Sequence, residues 1–417
     1  MPGGVAPVDD AAEPREGVPT VIVDPDALEA YAARLAAGTG PLAVDAERAS
    51  GYRYSQRAYL IQLRRAGAGT ALIDPTMLDD LGVLQEASWG VEWILHAATQ
   101  DLPCLAEVGF KPASLFDTEL AGRLLGRERV SLAALVESEL GHVLLKGHGA
   151  ADWSLRPLSP ELLRYAALDV EWLIELRDAL HAELQAAGKL ALAQEEFTAL
   201  LDFAPRERRE DPWRRTSGIH RIRKPRALAI ARSLWQARDS LAQRIDIAPG
   251  RVLPDAAIIA AATAMPDSPQ ALSALKEFTG RGQQRRLSTW WAAIGHALAL
   301  PDGDLPATAA SPTGPPPPRA WADKDPAAWA RLQAAREALS TESERSRIPV
   351  ENLISPELVR QVCWDPPEDP TSERIGEILR GSGARPWQVE LAAPILEAAM
   401  HAPGHSQPAH DQVVTGQ

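Results

Sequence analysis

The chain of 417 residues has only two cysteines, Cys104 and Cys363. They stand far apart in sequence, which leaves neither a disulfide framework nor a cysteine-based zinc site. No apolar run approaches the ~18 residues that a membrane-spanning helix needs, and the Pro/Gly-rich, acidic stretch from Met1 to Gly17 has no apolar signal-peptide core. The expectation is a cytoplasmic protein with no membrane partner. Positive charge is in deficit too: 43 Lys and Arg against 56 Asp and Glu give a net charge of −13, so the surface as a whole does not attract nucleic acid. A phosphate loop of the form G-x-x-x-x-G-K-[ST] is also missing.

What is there is unevenly distributed. Between Pro205 and Arg232 basic residues crowd together, among them Arg206, Arg208, Arg209, Arg214, Arg215, Arg221, Arg223, Lys224 and Arg226. Such a segment is either a solvated connector or a surface for a phosphate backbone. The length predicts two or three domains. The first half reads as a strand at 20–23, a helix started by Asp24-Pro25 and three strands at 41–47, 60–63 and 71–73. These three strands read as an antiparallel meander. From Leu78 helices, one of them at 100–108, alternate with strands at 92–95 and 115–116, with further helices from Thr118, Leu132 and Ser159. A strand-rich start followed by βα alternation predicts a mixed sheet flanked by helices.

Within that half, Pro41-Leu42-Ala43-Val44-Asp45-Ala46-Glu47 is an apolar strand that ends in two carboxylates two residues apart. On a strand they share a face. Their repulsion raises one pKa unless a cation joins them, and oxygen ligands suit a hard divalent ion. Taken singly, Asp-x-Glu is common on solvated strand ends. Ser159-Pro160-Glu161 starts a helix with Ser at the N-cap and Pro at N1, and there Tyr165 and Asp169 are i, i+4 neighbours. Asp101 follows a strand and reads by itself as a helix-start acid. His96 reads as a buried hydrogen-bonding residue.

Together these pieces are specific. Val44-Asp45-Ala46-Glu47, Leu95-His96-Ala97-Ala98-Thr99-Gln100-Asp101-Leu102 and Tyr165-Ala166-Ala167-Leu168-Asp169-Val170 resemble, in order, the three motifs of the DEDDy 3′→5′ exonuclease superfamily. Phe116-Asp117-Thr118 and Asp152-Trp153-Ser154-Leu155-Arg156-Pro157-Leu158 are similar to the ribonuclease D family in particular. The resemblance implies a ribonuclease-H-like α/β domain with two divalent metal ions, Mg²⁺ or Mn²⁺. By that resemblance Asp45 bridges the metals, Glu47 and Asp169 complete one site, Asp101 holds the other, and Tyr165 orients the attacking water. Relatives commonly carry Thr between the first two acids and an aromatic after the Glu; here these are Ala46 and Arg48. The loop Gly147-His148-Gly149-Ala150-Ala151 lacks the hydroxyls often found there.

Beyond Pro225 the sequence is helical and Ala-rich, with expected helices at 227–245, 255–264, 268–277 and 284–298. Arg251-Val252-Leu253-Pro254-Asp255 is similar to the HRDC domain, which implies nucleic-acid binding. Ile348-Pro349-Val350-Glu351-Asn352-Leu353-Ile354-Ser355 echoes that turn, and the internal repeat predicts two all-α HRDC-like bundles. The expected division is a flexible N-terminus (1–18), an exonuclease domain (19–204), a basic connector (205–224), an HRDC domain (225–300), a Pro-rich linker (301–320), a second, divergent HRDC-like domain (321–402) and a flexible tail (403–417). Most tryptophans should be core. Trp213, Arg214, Arg215, Arg221, Arg223, Lys224, Arg281, Arg285 and Arg286 are the candidate nucleic-acid contacts. The reading is an exoribonuclease acting on RNA with a single-stranded 3′ end, such as tRNA precursors, with a monomer as the default state. The alternatives are a 3′→5′ DNA exonuclease and a catalytically weak nucleic-acid-binding scaffold; a helicase is disfavoured by the missing phosphate loop.

Overall fold

Strand β2, Thr39–Arg48, lies inside a six-stranded sheet with the order β1-β4-β3-β2-β5-β6. The computed structural model describes residues 13–144, 147, 149–204, 210–308 and 314–401. The remaining strands are β1 (Val21–Ile22), β3 (Ala58–Ala66), β4 (Gly69–Ile73), β5 (Glu92–Leu95) and β6 (Ser114–Asp117). Strands β2, β3 and β4 form the expected antiparallel meander, whereas β5 runs parallel to β2 and β6 parallel to β5. Helices cover both faces, which is why Leu42, Ala43 and Val44 are all buried.

On one face Leu42, Val44 and Ala46 share a core with helix α1 (Pro25–Ala37) and α2 (Gly82–Ala87). Asp24 caps α1 by accepting from Ala27 N–H at 2.9 Å, as its Asp-Pro start predicts. Helices α3 (Leu102–Glu107), α4 (Thr118–Leu124) and α5 (Leu132–Leu140) follow. The other face meets α6 (Pro160–Glu171) and α7 (Leu173–Ala186), and α8 (Leu190–Leu201) packs on β6. The expected helix at 100–108 is shorter. Ala97 takes a left-handed conformation (φ 59°), Ala98–Gln100 form a 3-10 turn, and α3 starts only after Asp101.

Two helical units follow among the described residues. The first comprises α9 (Pro225–Ile245), α10 (Pro249–Val252), α11 (Asp255–Ala264), α12 (Pro269–Ser273), α13 (Arg281–Arg285) and α14 (Leu287–Ala299). Its core includes Leu228, Ile230, Leu234, Ile258, Trp290 and Ile294. The expected helices at 268–277 and 284–298 are each broken, the first by Leu275 in an extended conformation and the second at Arg286. The second unit comprises α15 (Trp321–Lys324), α16 (Pro326–Ser346), α17 (Val350–Leu353), α18 (Pro356–Trp364), α19 (Ser372–Gly381) and α20 (Pro386–Met400).

The echo between Arg251 and Ile348 is structural. Helices α9 and α16 both span 21 residues, both end on a left-handed residue (Asp246, φ 48°; Arg347, φ 53°), and both lead into a four-residue helix. Each repeat also docks on the nuclease unit by this turn. Ile348 and Leu353 belong to the core of that unit, as does Trp387 of α20, which is 9% exposed. Trp387 Nε1 donates to Glu196 Oε1 at 3.0 Å, and Lys189 Nζ donates to the carbonyls of Leu124 and Ser346, both at 2.6 Å.

Candidate active site

Pairing with β3 sets Asp45 opposite Gln62 and Glu47 opposite Leu60, so both acids face α6, and the register shifts between Glu47 and Arg48. Ser159 caps α6 by accepting from Leu162 N–H at 3.4 Å, and Asp169 on that helix meets the strand acids. Carboxylate oxygens of Asp45, Glu47 and Asp169 lie within 4.8 Å of one another. Asp101 opens onto the same cavity, about 460 Å³ in volume, together with Arg48, His96, Gln100 and Tyr165. The Tyr165 hydroxyl donates to the Asp169 carboxylate, one helical turn on. Thus all five residues read from the sequence as the reaction centre converge on one cavity.

Burial pushes the Asp45 carboxyl up to about 6. Burial, then repulsion from Asp45, Asp169 and Asp101, takes Glu47 up to about 10. Asp101 and Asp169 are also held well above the ordinary carboxylate range, first by burial and then by Asp45. Acids so placed ionise together only when cations join them. An all-oxygen donor set of this kind fits hard divalent ions such as Mg²⁺ or Mn²⁺. Burial and the neighbouring carboxylates also push the Tyr165 phenol upward, so it stays protonated.

Two supports were not given roles in the sequence reading. Asp117, noticed only as part of a motif, is buried and accepts from Ala97 N–H (3.2 Å), Ala98 N–H (2.8 Å) and Leu120 N–H (3.0 Å). It caps α4 and fixes the left-handed turn that delivers Asp101. An Asp three residues ahead of an N–H in a helix start is the available signal. The second support is the loop after Glu47. Ser50 and Gly51 line the cavity, and the first helical unit grips this loop. Arg251 Nε donates to Gly51 O (2.8 Å) and its guanidinium lies 4.0 Å over the Tyr52 ring, Ala248 N–H donates to Tyr52 O (2.9 Å), and Ser55 N–H donates to Asp246 Oδ1 (2.9 Å). On the opposite wall Arg156 holds the segment after Ala151 by donating to Asp74 (2.5 Å) and Tyr59 O (2.7 Å).

His96 is the hydrogen-bonding residue the sequence suggested: its Nδ1 pairs with Thr118 Oγ1 at 2.9 Å, and burial lowers its pKa to about 4. His148 and Lys146 lie outside the described residues, as do residues 1–12, 205–209, 309–313 and 402–417. Of the segment read as a flexible N-terminus, Arg15 pairs with Glu171 and Glu175 and lies 4.4 Å over Trp172.

Trp213 requires a correction as a nucleic-acid contact. It is 2% exposed, within the core of the first helical unit. Asp211 accepts from its Nε1 at 2.8 Å and the Arg214 guanidinium covers its ring at 4.4 Å, so the indole has no free face for a base. Arg214 is taken up by Asp211 and Ala307 O. Arg215, Arg221, Arg223, Lys224, Arg281 and Arg285 are exposed, and Arg286 is half-buried.

Residues 19–185 match a family model described as a 3′-5′ exonuclease, residues 227–294 an HRDC domain, and residues 314–400 a 3′ to 5′ exonuclease C-terminal domain. The chain is 33% identical over 311 residues to ribonuclease D of Acidiphilium cryptum, covering 72% of this chain and 77% of that one. The chain belongs to the ribonuclease D family. A crystal structure of a Bifidobacterium adolescentis protein superposes with a TM-score of 0.87 at 40% identity, covering 93% of this chain and 98% of that one. That of Escherichia coli RNase D, an exoribonuclease involved in structured RNA processing, gives 0.67 at 26% identity, over 91% and 98%. The protein is a 3′→5′ exoribonuclease with a ribonuclease-H-like mixed sheet, an HRDC domain and a helical C-terminal region, in a superfamily whose chemistry depends on metal. Its substrate is RNA, and among the described residues no helix is long and apolar enough to cross a membrane.

Proposed function

We propose that this ribonuclease D family member trims the single-stranded 3′ ends of structured RNAs such as tRNA precursors, one nucleoside 5′-monophosphate at a time, as a cytoplasmic monomer. Its nuclease unit is residues 19–204, and two HRDC-type bundles occupy 225–300 and 321–402. The observation that carries the reading is the convergence of Asp45, Glu47 and Asp169 within 4.8 Å, with Tyr165 bonded to Asp169. Asp45, Glu47, Asp101 and Asp169 would hold two divalent ions, Mg²⁺ or Mn²⁺. When bound, these neutralise the carboxylates and make a water acidic enough to attack near neutral pH. Tyr165 keeps its proton and uses its hydroxyl to orient that water, since a phenol pushed this far up is no base at neutral pH. Exposed Arg215, Arg221, Arg223, Lys224, Arg281 and Arg285, with Arg286, supply phosphate contacts, so affinity for RNA falls steeply with salt. Gln283 donates to Val252 O at 2.9 Å, which ties α13 and its arginines to the turn that grips the active-site loop.

A time course on 5′-labelled RNA and matched DNA with 3′ overhangs, with Mg²⁺, Mn²⁺ or chelator, tests the reading. The expected result is a metal-dependent ladder shortening from the RNA 3′ end, weak on DNA, absent in Asp45→Ala and Asp169→Ala, and slowed in Tyr165→Phe with metal affinity retained. Native cleavage by Asp169→Ala would refute the site assignment.

A further inference from the structure

Arg48 directly follows the second acid of β2, and the pairing register with β3 shifts between Glu47 and Arg48. The residue lines the same cavity as the four carboxylates. It lies close enough for its charge to act on Asp45, Glu47 and Asp101. Yet among the described residues it makes no hydrogen bond and no ion pair, while other half-buried arginines of the nuclease unit do, such as Arg64, Arg127 and Arg177. A guanidinium that stands beside acids without pairing to them leaves its five donors free for something that enters the cavity.

We infer that Arg48 contacts the scissile phosphate of the RNA 3′ end. The inference rests on the two-metal reading above. Two divalent ions would match the four carboxylates and leave the site neutral, whereas the phosphodiester brings one negative charge and gains a second when the attacking water adds and gives its proton to solvent. Among the described residues that line the cavity, Arg48 is the cation placed to meet this excess. A planar fork of N–H donors matches phosphate oxygens in pairs, and donors aimed at developing charge act most strongly where water is excluded. A guanidinium can also stack on a base, and that role makes a different prediction at the same position.

The test compares Arg48→Lys, Arg48→Gln and Arg48→Phe with the wild type and with Asp45→Ala. Two readouts are used: kcat/KM on 5′-labelled RNA, and affinity for adenosine 5′-monophosphate against adenosine in the Mn²⁺-loaded protein, by calorimetry. A phosphate contact predicts a loss of roughly 10²-fold in kcat/KM for Arg48→Gln and Arg48→Phe, partial recovery in Arg48→Lys, and about tenfold weaker binding of the monophosphate with adenosine unchanged. Unchanged adenosine affinity also certifies that each variant is folded. If Arg48→Phe keeps native activity while Arg48→Lys loses it, or if adenosine weakens along with the monophosphate in a variant whose circular dichroism and melting temperature are native, Arg48 stacks on the base and the inference is overturned. Native kcat/KM in Arg48→Gln overturns it as well. Full activity in Asp45→Ala would instead bring down the metal-site reading on which it stands.

Discussion

Replacing Asp117 by alanine removes one buried carboxylate and leaves three N–H groups, those of Ala97, Ala98 and Leu120, without their acceptor. An N–H that loses its partner in a protein interior costs about 1–3 kcal/mol. Ala97 adds its own demand, because a non-glycine residue at φ 59° costs about 1–2 kcal/mol to hold. With water entering to satisfy part of the set, the expected loss of stability is about 3–5 kcal/mol. Asp117→Asn keeps one acceptor oxygen but turns an NH₂ toward the turn, for a loss of about 1.5–3 kcal/mol. The effect on catalysis is separate. Asp101 leaves the turn immediately after Gln100, and a shift of about 1 Å in a metal ligand costs on the order of 10²-fold in rate. Urea unfolding gives the first number, and single-turnover cleavage of labelled RNA at saturating Mg²⁺, well below the unfolding midpoint, gives the second. If Asp117→Ala unfolded within about 0.5 kcal/mol of the wild type and cleaved at the native rate, Asp117 would not be what holds the Asp101 turn.

The metal-free site is sensitive to pH in a defined direction. With its pKa at about 6 when folded against ~3.9 unfolded, Asp45 contributes stability below about pH 4 that is lost as pH rises through 6. Melts in chelator should therefore show Asp45→Asn gaining on the wild type from pH 4 to 7, while Mn²⁺ affinity of the wild type rises over the same range; a pH-independent difference in Tm would contradict this. Arg251→Ala deletes the bond to Gly51 and the cover over Tyr52, and should lower kcat/KM about 3–10-fold with less than about 1 kcal/mol lost in unfolding; unchanged kinetics would separate the HRDC turn from the active site. Trp387→Ala should cost about 3–5 kcal/mol and melt the nuclease unit early, so that activity and circular dichroism fall together; a loss confined to the C-terminal unit would refute the shared core.

The legible parts of this chain were those coded by neighbours in sequence. Asp45 and Glu47 share a face because strands alternate, and Ser159-Pro160 starts α6 one turn before Tyr165 because Ser caps and Pro tolerates N1. The i, i+4 spacing then carries Asp169 to the strand acids. The break at Ala97 was hidden, since alanine favours helix and only the distant Asp117 overrules it. Trp213 reads as a nucleic-acid contact because arginines surround it in sequence, but one of them, Arg214, covers a ring already committed to a core. The grip of Asp246, Ala248 and Arg251 on the loop after Glu47 joins residues about 200 positions apart, and no local pattern reports such a contact.

The docking of Ile348, Leu353 and Trp387 into the core of the nuclease unit bears on how the enzyme is made. A ribosome that has released residues 19–204 has delivered every acid of the reaction centre, but the indole that fills the gap beside Glu196 is encoded nearly 200 codons later. The nascent nuclease unit keeps part of its core open until α20 emerges. A chain truncated ahead of α20 lacks Trp387 from that core, and limited proteolysis should cut its nuclease unit faster than that of the full chain.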